Sequence, residues 1–250
     1  MYLPPELLDE IISHIAPDDN ESLRSCSLVA KSWIHPSRRR LFESVDIWGD
    51  TRSKLWCGTI SPTNVGVLQH VRSLFCQITN APESTGGSTG SVDILRDYSL
   101  SFHQLGRLTL FSGCLPSFAQ IGTPPAFQRT LSYLCLWSCN VIVRALVTFV
   151  NYLPNLAHLD LIELSHNRDD QPTPPFSRPL QKLSITEGSL SLIDQLMGLR
   201  PQCDQVTVGV FWFPCPLLAQ HAIDGVETSI KRLCLESDLA GVSNIPKTLY

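Results

Sequence analysis

Over the first 47 residues, apolar positions recur with helical spacing. Leu3, Leu7, Ile11 and Ile15 fall every four residues, and Leu8 and Ile12 widen the stripe. Pro4 and Pro5 suit a first helical turn, where no amide partner is needed, and Glu6 suits the positive end of the helix dipole. Pro17 predicts the end of that helix. Asp18-Asp19-Asn20 offers caps for a second, with Leu23, Cys26 and Ala30 on one side and Leu28 and Val29 partly on another. Pro36 punctuates again, and Ser37 to Phe42 is expected to form a third short helical piece. The stripe on the first helix is wider than two short neighbours can cover. Either the downstream chain or a second protein must cover it.

Beyond residue 47 the pattern changes. Apolar residues at the first, fourth and sixth positions of a frame recur at Val71-Leu74-Cys76, Leu105-Leu108-Leu110, Leu131-Leu134-Leu136, Leu156-Leu159-Leu161, Leu180-Leu183-Ile185, Cys203-Val206-Val208 and Ile230-Leu233-Leu235. Successive starts lie 34, 26, 25, 24, 23 and 27 residues apart, and all but the first interval suit a leucine-rich repeat of one strand and one helix or turn. The Gly/Ser/Thr-rich run 83–90 accounts for the long first interval as a flexible insertion. Phe42-Val45-Ile47 reads as a degenerate leading unit. Between frames, Asn140 is placed to cap a helix on which Leu146, Phe149, Val150 and Leu153 share a face, closed by Pro154. The consensus Asn/Cys after each strand is met outright only at Cys139, so the array is expected to be irregular.

The runs LPPELLDEII, CSLVAKSW and PSRRRLF, spread over the first 45 residues, resemble an F-box, in the form abundant in fungal proteins. Ala30 stands where relatives commonly carry cysteine. The resemblance implies docking on a Skp-family adaptor and, through it, on a cullin–RING ubiquitin ligase. It maps adaptor contact, or its support, onto Leu3, Pro4, Leu7, Leu8, Ile11, Val29, Lys31 and Trp33. The later frames are similar to the leucine-rich-repeat half of F-box proteins. The expected fold class is therefore α/β: a three-helix F-box module over 1–47, then a short irregular leucine-rich-repeat solenoid over 48–250, with parallel strands on its concave side and helices or loops on its convex side.

In such strands the residues between the apolar frame positions face the other way. Arg107, Phe111, Tyr133, Trp137, His158 and Asp160 then gather as an aromatic patch flanked by charge, and this is the candidate target-binding surface. The implied function is a substrate-recognition subunit of an SCF-type ubiquitin ligase, not itself an enzyme. An adaptor-binding scaffold without a degradative role and a hydrolase built on the C-terminal part are the alternatives.

Composition narrows the chemistry. The chain has 250 residues, 43% of them hydrophobic and 17% charged, with a net charge of −4. That is ample apolar material for a core and no global basic field for nucleic acid or an anionic membrane. The most apolar run, 141–153, is too short and too polar to span a bilayer. Nine scattered cysteines without a CxxC pair, and no signal-peptide pattern, predict reduced thiols in the cytoplasm or nucleus. Cys135 and Cys139 have only loose metal spacing, and no phosphate loop or G-x-S-x-G elbow occurs. No cofactor or metal is expected.

Overall fold

The computed structural model describes residues 3–16, 19–49, 51–52, 55–56, 65–77, 101–114, 125–167, 172–186, 192, 195–196, 198–199, 201–209 and 232–236. The 83–90 insertion and the last frame's opening residue, Ile230, lie outside them.

Three helices open the chain: α1 (Pro5–Ser13), α2 (Asn20–Val29) and α3 (Lys31–Leu41). Pro5 takes the first turn of α1, as expected, and Asp19 caps α2 by accepting a hydrogen bond from the Ser22 backbone N–H at 3.0 Å. Pro36 does not break the chain into a shorter third helix. It lies in the middle of α3, buried, where the helix gives up one backbone donor. α3 packs against both α1 and α2.

The strands follow: β1 (Ser44–Ile47), β2 (Ser73–Gln77), β3 (Arg107–Cys114), β4 (Tyr133–Ile142), β5 (His158–Ile162), β6 (Ser165–Asn167), β7 (Leu180–Thr186), β8 (Cys203–Gly209) and β9 (Arg232–Glu236). They form one all-parallel sheet in the order β1-β2-β3-β4-β5-β7-β8-β9, with β6 paired to the far end of β4. A single α/β sheet therefore organises the chain, and this corrects the expected division into a three-helix F-box module followed by a leucine-rich-repeat solenoid. One observation overturns that fold. β1 follows α3 almost at once and pairs with β2 in the common register, Val45 opposite Leu74 and Ile47 opposite Cys76. Among the described residues of the connections, α4 (Val143–Tyr152) is a regular α-helix, and the stretches before β2 and β4 carry 3₁₀ turns, Val65–His70 and Ala126–Arg129. The apolar frame dictates strands, because every second side chain must be buried. It says nothing about what joins them.

Five strands, β2, β3, β4, β5 and β7, enter the sheet through the same hydrogen-bond device. The carbonyls of Glu43, Arg72, Gly106, Ser132 and Ala157 each accept two successive backbone N–H groups from the next strand's start, at 2.8–3.0 Å. Below the sheet, fourth-position Val45, Leu74, Leu108, Leu134, Leu159, Leu183 and Val206 and sixth-position Ile47, Cys76, Leu110, Leu136, Leu161 and Ile185 are all buried. α4 lays Leu146, Val147, Phe149 and Val150 on the same core, with Leu153 just beyond it. Asn140 does not cap this helix. β4 continues through it, and its Nδ2 reaches Asn167 Oδ1 instead. Ser112, Ser138 and Glu163, which follow the paired residues Phe111, Trp137 and Ile162, share φ of 52–55° and turn three neighbouring strands at one level. The loop before β7 is clasped by Asn151, which donates to the Pro175 carbonyl at 2.9 Å and accepts from the Ser177 N–H at 2.8 Å.

Leu134 is fully buried in the middle of the fourth-position row. Leu134→Ala is expected to lower the unfolding free energy by about 2–5 kcal/mol, whereas Leu28→Ala on an exposed helix surface changes it little. Urea denaturation followed by circular dichroism checks both.

Candidate functional site

Two surfaces result. The first lies on the N-terminal helices. The broad stripe of α1 divides: Leu8 and Ile12 are buried, while Leu7 and Ile11, one turn apart, stay 51% and 42% exposed. At the end of α2, Leu28 and Val29 are 85% and 65% exposed. Of the residues expected at the adaptor contact, Pro4, Leu7, Ile11, Val29 and Lys31 are exposed, and Leu3 and Trp33 are half-buried. Leu8 is interior, so its role is to seat α1. Leu28 was not among the expected contacts, yet it is the most exposed of the large apolar residues described. Four exposed aliphatic side chains on two short helices carry a hydration cost that a covering partner removes.

These helices are joined to the sheet. Glu43, just past α3, pairs with Arg40 at 2.6 Å and with Arg72, before β2, at 3.3 Å, while its carbonyl forms the first rung of the ladder. His35 of α3 meets His70 of the first 3₁₀ turn edge-on, ring centroids 5.4 Å apart. Burial, with His35 and Arg39 beside it, lowers the His70 pKa.

The second surface is the sheet face opposite the apolar rows. The register lines up Ser73, Arg107, Tyr133, His158, Lys182, Gln205 and Arg232 as one row, and Phe75, Thr109, Cys135, Asp160, Ser184, Thr207 and Cys234 as the next. Phe111, Trp137 and Ile162 continue a third. All six residues of the expected target-binding patch therefore stand on five-residue stretches of three adjacent strands. The Arg107 guanidinium lies over the Tyr133 ring, 4.4 Å from its centroid. The Tyr133 hydroxyl donates to Asp160 Oδ2 at 2.6 Å, and the His158 ring meets Tyr133 edge-on at 6.4 Å. Burial first, and then the bond to Asp160, pushes the Tyr133 pKa well above its ordinary value. Asp160 Oδ1 and Trp137 Nε1 are shielded from solvent and have no hydrogen-bond partner among the described residues.

Beside this cluster runs a ladder of rings longer than the patch read from the pattern. Trp48 stacks on Phe75 at 5.4 Å and on Phe111 at 4.7 Å, and Phe111 meets Trp137 edge-on at 5.0 Å. Trp48 is held where the chain leaves β1. The next residue, Gly49, has φ of +75°, a conformation that favours glycine, and its N–H donates to Gln77 Oε1 at 2.8 Å. Trp48 and Phe75 were missed as contact residues, although a signal existed. Counting one position past Ile47 in the leading frame puts Trp48 in the same row as Phe111 and Trp137.

The face offers binding groups rather than an activated nucleophile. Cys135, flanked by Tyr133 and Asp160, is buried, and burial followed by the Asp160 charge pushes its thiol up to about 11. An attacking thiolate needs the opposite shift. Cys139 is buried elsewhere, its thiol near the Leu110 and Trp137 carbonyls. Among the described residues no group of three or more His, Cys, Asp or Glu side chains is placed to hold a metal ion, and no helix is long and apolar enough to cross a membrane. No family model matches the chain, and no curated protein matches it.

Burial also pushes the Cys203 thiol up to about 11. Both thiols are then overwhelmingly protonated at pH 8, so iodoacetamide is expected to modify Cys135 and Cys203 of the native chain far more slowly than the half-buried Cys26. Peptide mass spectrometry over a time course reads the order. Labelling of Cys135 ahead of Cys26 contradicts it.

Proposed function

We propose that the chain is a target-recognition subunit that docks on a Skp-family adaptor through its N-terminal helices and holds a target protein on the polar face of its sheet. Through the adaptor it joins a cullin–RING ubiquitin ligase in the cytoplasm or nucleus. It carries out no bond chemistry in this role. It raises the effective concentration of a bound target near the ligase's ubiquitin-loaded enzyme.

The observation that carries the reading is the division of the α1 stripe. Leu8 and Ile12 satisfy the chain's own packing, and Leu7 and Ile11 remain outward on the segment that resembles an F-box. Val29, and Leu28 beside it, extend the exposed apolar surface to the end of α2. The ladder Trp48–Phe75–Phe111–Trp137, next to Arg107, supports the second half: aromatic rings beside arginine are typical anchors of protein interfaces.

Leu7→Asp sets a charge on the outward stripe without touching a buried position. Co-purification with a Skp-family adaptor is expected to fall by at least about tenfold, the loss that 1.4 kcal/mol brings, with the melting temperature unchanged. Equal recovery with wild-type chain removes the docking proposal. Trp137→Ala is expected to weaken target capture and leave adaptor recovery intact. Loss of both together marks a folding defect instead.

A further inference from the structure

The polar face has a chemistry more specific than general stickiness. We infer that it takes an extended peptide segment bearing a carboxylate side chain about four residues from an aromatic one, with Arg107 receiving the carboxylate and the Trp48–Phe111–Trp137 ladder receiving the ring. This rests on the proposal that the face binds a target, and it names the class of segment bound.

Arg107 is exposed and makes no ion pair with any described carboxylate. It is nevertheless not a loose side chain. Its guanidinium lies 4.4 Å over the Tyr133 ring, and that ring is fixed at its far end by the 2.6 Å bond to Asp160. A guanidinium laid on an aromatic face keeps the donors at its edge free for a bidentate partner, and little side-chain entropy remains to be lost on binding. Lys182 stands three strands along the same row, also without an ion pair among the described residues, with Tyr133 and His158 between. Asp160, beside this row, already accepts from Tyr133. Asp46, on β1 opposite Phe75, lies at the ladder's end. The middle of the face thus presents cations on a chain whose net charge is −4, which favours an anionic ligand there.

The spacing comes from the strand. Arg107 and Phe111 are four residues apart on β3, about 13 Å at the usual rise of about 3.3 Å per residue. An extended ligand has the same rise, so its carboxylate and ring meet both groups when they too are separated by four positions. Closer spacings leave one of the two contacts unmade.

The test uses fluorescein-labelled, amidated Gly/Ser decapeptides, each with one Glu and one Phe separated by one to six positions in both orders. Their affinity for the full chain is measured by fluorescence polarisation. The expected optimum is a separation of four in one order, and peptide Glu→Gln or protein Arg107→Met each weakens it about tenfold, as loss of a charge-assisted pair does. Arg107→Lys, which keeps the charge and stem without the fork, is expected to fall between, with melting temperatures confirming that all variants fold. Binding that is lost in Trp137→Ala but indifferent to Arg107→Met and to Glu→Gln overturns the inference and leaves the face standing as a binding surface. Binding indifferent to both protein variants overturns the inference and counts against the face itself. If no peptide binds, the inference falls, and target capture by Trp137→Ala still decides the role of the face.

Discussion

The structure depends on a repeated rung. From β1 to β5, one carbonyl at the strand's entry accepts two N–H groups from the next main strand, and the rung recurs from Glu43 to Ala157 with nearly constant length. It locks neighbouring strands in identical register, so residues at the same frame position stack into rows. Two of those rows are apolar and buried, and each fully buried aliphatic side chain contributes about 1.5–3 kcal/mol. No single strand can bury its own face, so pairing and core formation are one event. A slip of one residue would turn every leucine of a row outward.

The same constraint creates the candidate surfaces. Locking the apolar rows inward forces the intervening residues into rows of their own, which brings Arg107, Tyr133 and His158 side by side although they lie 26 and 25 residues apart in the chain. The first rung begins at Glu43, immediately after α3, and so the helices are tied to the edge of the sheet by the device that builds it. Leu7 and Ile11 stay outward because α1 turns its other apolar pair, Leu8 and Ile12, inward.

Much of this was legible in the amino-acid order, and the reasons differ by element. The strands and their register followed from the one-four-six frame, because burial on one side of a strand leaves a period-two trace that spacing repeats. Leu146, Phe149 and Val150 were legible as one helix face for the analogous reason. The connections were not. Where a linker buries only a few apolar side chains, as in Val65–His70, it leaves too short a trace to separate a 3₁₀ turn from a helix. The two breakers were misread because their effect depends on context. Pro36 is accommodated in the middle of α3 at the loss of one backbone donor, and the Asn140 amide reaches Asn167 rather than a helix terminus. Trp48 escaped notice because the tether that holds it, Gly49 to Gln77, spans 28 residues and has no local signature.

In the proposed function these elements share a division of labour: α1 and α2 keep an apolar surface exposed, proposed for an adaptor, and the polar sheet face is proposed for a target. Hydrogen–deuterium exchange of the full chain with and without a purified Skp-family adaptor tests that division most directly. The account predicts slowed exchange in 5–13 and 27–33, with 107–111, 133–137 and 158–162 unchanged. Slowing confined to the strand segments, or none in α1, would contradict it.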